Sequence, residues 1–138
     1  YLIYGVTEEM LYELPFLLSC YIKKASKLFR DKGCLFIQAH PFRKMITRAN
    51  PQYLDGVEVY NGNIRHDNHS DVALTWAKEN NLKFSAGSDF HQMMDLAKGG
   101  LVIPDSIEDV HQFKDFITNN EPLYLVDSEI QAKGSLIV

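Results

Sequence analysis

Apolar runs of strand length alternate with amphipathic helical stretches, and this alternation restricts the fold more than any other feature of the 138 residues. Candidate strands fall at Tyr1–Tyr4, Cys34–Ala39, Gly56–Tyr60, Leu82–Ala86, Leu101–Ile103 and Leu123–Val126. After the first strand, Thr7 caps a short acidic turn. Pro15 then suits the first turn of a longer helix. Leu18, Ile22, Ala25 and Phe29 recur there at helical spacing, Lys23, Lys24 and Lys27 lie off the stripe, and Gly33 ends it. A helix over Ser70 to Asn80 buries Val72, Ala73, Trp76 and Ala77. Ser106 stands at capping-box spacing from Asp109 and opens a helix whose stripe is Val110, Phe113 and Ile117. Strands separated by helical stretches of roughly 10–20 residues indicate βαβ units, hence an α/β domain with a mostly parallel sheet. Its short apolar strands suit burial on both faces.

Fourteen Lys and Arg against eighteen Asp and Glu give a net charge of −4, with no basic tract. A phosphate-backbone binder needs a positive footprint, so the balance weakly disfavours a nucleic-acid partner. No apolar run approaches the roughly 18 residues of a membrane span. Cys20 and Cys34 are too few for a disulfide framework, and the chain reads as reduced and cytoplasmic. It opens on Tyr1-Leu2-Ile3-Tyr4 and closes on Ser135-Leu136-Ile137-Val138, both of strand quality where polar ends are usual. The sequence therefore reads as a piece of something longer.

In α/β folds chemistry sits in the loops at the carboxyl ends of strands. The run Cys34–Ala39 leads into His40-Pro41-Phe42-Arg43, where Pro41 stops the strand and leaves His40 at its mouth. Leu54–Tyr60 leads into Asn61-Gly62-Asn63. Leu82–Ala86 leads into Gly87-Ser88-Asp89-Phe90-His91. Asp89 and His91 are two apart, so in extended geometry both point the same way, and carboxylate with imidazole is a ligand set that borderline divalent metals favour. A lone D-x-H triplet reads first as a solvated turn. Together with His40-Pro41 and the Tyr60–Asn63 turn it reads as a metal site.

These segments, QAHPFR (Gln38–Arg43), LDGVEVYNGN (Leu54–Asn63) and SAGSDFH (Ser85–His91), resemble the later motifs of the PHP family, named for polymerase and histidinol phosphatase members. The match runs from Gln38 to about Gly100. The resemblance implies a distorted (β/α)7 barrel, two or three divalent ions, zinc or manganese, and metal-dependent hydrolysis of phosphate esters. It makes His40, Asp89 and His91 metal ligands, usually of different ions in the cluster. The family pattern begins with a His-x-His strand, and no such pattern exists here, His40 being the first histidine. Residues 1–138 are therefore expected to be one partial domain, the C-terminal part of a PHP-type barrel. The intact parent would be the phosphoesterase and the fragment itself inactive.

Arg43 follows His40 by three and reads as a catalytic phosphate clamp, with a solvated loop arginine as the alternative. Glu58 sits mid-strand, where a buried carboxylate needs a partner, and reads as structural. Asn61 begins an Asn-Gly turn signal but has the chemistry to orient a ligand. His66 and His69 share a face, lack further ligands nearby, and read as solvent-facing, with His66 nearer a pocket. His111 reads as surface, and Trp76, Phe36, Phe84, Phe113 and Phe116 as core. The expected partners are a small phosphate-ester substrate and, through an open sheet edge, a second copy of the chain. The rival readings are a non-catalytic PHP module with a structural or polymerase-associated role, and an ordinary α/β binding domain.

Overall fold

A computed structural model describes residues 1–13, 20–119, 123–127 and 135–137. The chain is α/β. Strands β1 (Leu2–Tyr4), β2 (Leu35–Gln38), β3 (Gly56–Asn61) and β4 (Lys83–Gly87) form one sheet in that order. Strands β5 (Gly99–Val102), β6 (Leu123–Asp127) and β7 (Ser135–Ile137) form a second, and β5 packs along β4, so the strands curl as a half-barrel. Helices α1 (Glu8–Glu13), α2 (Ile22–Asp31), α3 (Ser70–Glu79) and α4 (Val110–Thr118) alternate with them.

The expectation of a mostly parallel sheet holds only at the centre. β2, β3 and β4 run parallel, whereas β1 lies antiparallel on β2, and β5, β6 and β7 pair antiparallel. The sheet is mixed. Burial follows the same division. Every residue of β2 is buried and all but one of β3, as a doubly covered parallel core requires, while β1 is a half-buried edge. Phe29, Phe36, Val57, Val59 and Ala77 make the centre of the core, with Phe36 stacked between Tyr1 and Phe29.

Two helices end by the same device. At the end of α2 the Cys34 N–H donates to Phe29 O and the Gly33 N–H to Arg30 O, both at 2.9 Å, with Gly33 at φ 78°. This Schellman closure satisfies the last carbonyls and needs a left-handed residue. At the end of α3 Asn81 fills that position at φ 53°, with the Leu82 N–H on Ala77 O. Thr7 caps α1 as expected, its Oγ1 accepting from Met10 N. The capping expected of Ser106 falls instead to Asp109, whose carboxylate accepts from His111 N and Gln112 N at 2.8 Å. A carboxylate directly before the helical residues reaches two free N–H groups that Ser106, one turn earlier, cannot. Val72, expected inside, is 41% exposed because α3 turns its small residues Ala73 and Ala77 to the sheet. The residues around Pro15 and Leu18 lie outside those described.

One irregularity shapes the site. Between Glu58 and Tyr60 the β3–β4 register slips by a residue, a β-bulge at Val59. In a regular strand residues three apart face opposite sides. The bulge brings Glu58 and Asn61 to the same side, and the Asn61 Nδ2 donates to Glu58 Oε2 at 2.9 Å.

Candidate functional site

Because β2, β3 and β4 are parallel, their carboxyl ends open on one side, and the loops that follow meet there. Gln38, the last residue of β2, is buried and holds the first loop at both ends. Its Nε2 donates to Thr47 O and its Oε1 accepts from Ala49 N, each at 2.9 Å. His40 lies inside that loop, its backbone N–H on Glu58 Oε2 at 2.8 Å.

Arg43 crosses to the third loop. Its Nη2 lies 2.6 Å from Asp89 Oδ2 and its Nε 2.7 Å from Asn68 Oδ1. Asn63 supports the same carboxylate, with Nδ2 3.3 Å from Asp89 O and 3.4 Å from Oδ2. Asn68 Nδ2 faces the carbonyls of Asn61, Asn63 and His66. Glu58, Asn61, Asn63, Asn68, Arg43 and Asp89 thus form one hydrogen-bonded network, four of whose members are buried. A network satisfied at this level fixes geometry rather than adding much net stability.

Among the described residues six non-glycine positions have positive φ, His40 and Asp89 among them. His40 has φ 30° and Asp89 φ 50°, the left-handed region that costs a non-glycine residue about 1–3 kcal/mol. Each follows its strand end by two residues, and the Asp89 carboxylate is held by Arg43 and Asn63. Strain of this kind concentrates at binding and catalytic positions.

Electrostatics differ from group to group. Burial, reinforced by the Arg43 charge, pushes the His40 imidazole below the ordinary histidine range, against a smaller upward pull from Asp89. Its Nδ1 is fully enclosed and has no hydrogen-bond partner. Burial raises the Glu58 carboxyl, with the Asn61 and His40 hydrogen bonds opposing. Burial also raises Asp89, but the Arg43 hydrogen bond and charge, with His40 and His91, outweigh it and leave the carboxyl low.

His91 is mostly exposed, and its Nδ1 sits 2.8 Å from Asp89 O and 3.7 Å from Asp89 Oδ1. A carbonyl oxygen only accepts, so Nδ1 carries the proton in this pair and the neutral ring presents Nε2 as a lone pair. That is the usual orientation of a metal-binding histidine. The loop carrying it is fixed by Asp95, whose Oδ2 accepts from His91 N and Gln92 N at 2.9 and 2.8 Å. Asp95 is in turn gripped by Arg65.

The structure therefore brings His40, Arg43 and Asp89 together and sets His91 beside Asp89. Among the described residues, no three His, Cys, Asp or Glu side chains are grouped so as to hold a metal ion. The donor chemistry nonetheless fits a divalent ion in part: an enclosed, unpartnered imidazole nitrogen, an ionised carboxylate, and a second imidazole with its Nε2 bare. Arg43, from the first loop, rests its guanidinium on Asp89. Glu58, read as structural, is the joint between the first two loops. Asn68, Arg65 and Asp95 gave no signal in the sequence, because their bonds span 25 and 30 positions with no periodicity.

His66 and His69 both border a cleft of about 290 Å³ with Asn61, Asn63 and Asn68. Both are exposed, as is His111. A cleft of about 700 Å³ lies at the opposite end of the strands beside Arg30, Cys34, Asp55 and Lys114, and contains none of the candidate residues. No helix among the described residues is long and apolar enough to cross a membrane. No family model matches the sequence, and no curated protein matches it.

Proposed function

We propose that this chain is the C-terminal part of a PHP-type barrel whose intact form is a divalent-metal phosphoesterase. The observation that carries the reading is the meeting of His40 and Asp89, both in strained left-handed backbone, at one end of three parallel strands. The resemblance of QAHPFR, LDGVEVYNGN and SAGSDFH to that family's motifs supports it. His40, Asp89 and His91 are the ligands within these residues. The remaining ones, including the family's His-x-His pair, have no counterpart in the sequence.

A divalent ion at such a site supplies Lewis acidity, activating water at neutral pH and neutralising phosphoryl charge. The residues of this chain do the rest. His40, kept neutral by burial and the Arg43 charge, offers a lone pair. Asp89, kept ionised by Arg43, offers charge. His91 offers Nε2 while its other nitrogen is held by the Asp89 carbonyl. The planar fork of Arg43 suits a phosphoryl group. Glu58 and Asn61 hold the His40 backbone, and Asn63 and Asn68 hold the carboxylate and the guanidinium.

A non-catalytic module is the second reading, and the Arg43–Asp89 pair favours it, since that pair leaves the carboxylate already satisfied. The longest natural protein carrying these residues decides between them. Hydrolysis of an aryl phosphate with added zinc or manganese, lost in Asp89→Asn and His40→Ala, supports the enzyme. Metal-free preparations with no turnover under any added ion support the module.

A further inference from the structure

Three of the four methionines, Met45, Met93 and Met94, stand exposed on the loops that follow β2 and β4, and Ile64, Phe90 and Leu96 are exposed on the same set of strand-end loops. Met45 keeps 91% of its exposure and Met93 76%. Apolar side chains gathered on one exposed face mark an interaction surface. These loops are tied to one another. Gln38 staples the first, Arg43 joins the first to the third, and Arg65 joins the second to the third. The apolar groups are thus presented on a fixed frame, which lowers the ordering cost of binding. Methionine, with its flexible and polarizable side chain, suits a protein partner.

Charge narrows the choice of partner. Residues 39–50, 62–69 and 88–98 carry five Lys and Arg against three Asp, in a chain of net charge −4. Arg43 is spent on Asp89 and Arg65 on Asp95, which leaves Lys44, Arg48 and Lys98 against Asp67. Two such faces repel each other, whereas an acidic apolar partner is attracted. The chain itself carries one. Helix α1 reads Glu-Glu-Met-Leu-Tyr-Glu, buries none of its residues, and leaves Leu11 and Tyr12 exposed. Glu13 pairs with Lys32 and Glu8 accepts the neutral Tyr12 hydroxyl, so Glu8 and Glu9 keep their charge for a partner. That helix is out of reach of the loops of its own molecule. β1 runs antiparallel to β2 with Tyr4 opposite Leu35, and Cys34 Sγ lies 3.7 Å from Met10 Sδ, so α1 sits at the amino ends of the parallel strands.

We infer that the loop face at the carboxyl strand ends binds the α1 helix of a second copy, giving head-to-tail assembly. Leu11 and Tyr12 meet the exposed methionines, and Glu8 and Glu9 meet Lys44 and Arg48. Each molecule then keeps one face open for the next, so assembly ends in a closed ring or continues as a filament rather than stopping at a symmetric dimer.

The test is sedimentation velocity of the 138-residue chain, over protein concentrations from about 1 μM to about 1 mM. Wild type is expected to gain mass with concentration. Lys44→Glu, Glu9→Lys, and Met45→Ser combined with Met93→Ser should each raise the dissociation constant at least about fivefold. Lys44→Glu and Glu9→Lys placed in one chain should return it to within about twofold of wild type. All four side chains are exposed, and circular dichroism checks that each variant folds. Should Glu9→Lys misfold, Glu8→Lys takes its place with the same expectations. Glu9→Lys reduces the net negative charge, so repulsion between whole molecules alone would make it associate more strongly, and that result overturns the inference. A wild type that stays monomeric throughout overturns it. Association that none of these variants weakens overturns it in favour of another surface, such as the β1 edge. Monomeric wild type that binds phosphatidylserine vesicles, with binding lost in Lys44→Glu and kept in Glu9→Lys, overturns it in favour of a lipid surface.

Discussion

Arg65 grips Asp95 with both terminal nitrogens, Nη1 to Oδ1 at 2.6 Å and Nη2 to Oδ2 at 2.8 Å, although thirty positions separate the two residues. Asp95 is 1% exposed and its Oδ2 also accepts the His91 and Gln92 N–H groups, so this fork ties the loop after β3 to the loop that presents Asp89 and His91.

Removing one partner strands a buried charge, which is costly even where the intact pair contributes little. Arg65→Ala should lower the thermal midpoint by on the order of 10 °C. The Arg65 hydrogen bonds hold the Asp95 carboxyl well below the usual carboxylate range. A depressed folded value means the stabilisation is present above about pH 4 and lost as pH falls through the folded value. The midpoint gap between wild type and Asp95→Asn should therefore stay constant from pH 7 to about pH 4 and close only in stronger acid. A gap that closes between pH 7 and 5 would contradict this.

Glu58 shows the opposite sign. Burial raises its carboxyl, so the folded state holds the proton more tightly than the unfolded chain. Stability is then full below the unfolded value of about 4.3 and falls as pH rises through the folded one. Glu58→Gln keeps an oxygen for His40 N and Asn61 Nδ2 and removes the ionisation. Its thermal midpoint should gain on wild type as pH rises from about 4 through the folded value of the carboxyl. A pH-independent difference between the two would show that the carboxyl titrates normally.

Gly62 is needed for space rather than for a turn conformation. Its φ is not positive, but a β-carbon there would lie inside the backbone of Lys98 and Gly99, where β5 begins. Gly62→Ala should cost about 1–3 kcal/mol by forcing that backbone apart. Denaturant unfolding measures it, and an unchanged midpoint would mean that β5 does not sit against the end of β3.

The strand ends were legible because each carries a local stop: Pro41 after β2, Asn61-Gly62 at the end of β3, Gly87 at the end of β4 before Asp89. Parallel pairing of β3 with β4 follows from the intervening α3, whereas β2 and β3 are parallel with only a short turn at Pro51–Tyr53 between them, and both pairings place His40 and Asp89 at one end. What was not legible was cross-loop bonding. Nothing near Arg43 announces that its partner lies 46 positions away at Asp89. The β-bulge at Val59, which turns Glu58 toward Asn61, leaves the apolar pattern of β3 intact. The reversed direction of β1 was hidden for a related reason. Strand and helix periodicities identify elements, but the sense of pairing is set by tertiary contacts such as Tyr1 on Phe36 and Tyr4 on Phe113.

Sub-stoichiometric Mn²⁺ added to the ¹⁵N-labelled chain tests the strand-end metal site most directly, because paramagnetic broadening locates even weak binding. Amide signals of His40, Asn63, Asp89, Phe90 and His91 should broaden first, and Asp89→Asn should restore them. Broadening centred on Asp31, Asp55 and Asp115 at the other end of the strands, or broadening at His40 and His91 that survives Asp89→Asn, would contradict a metal site built on these residues.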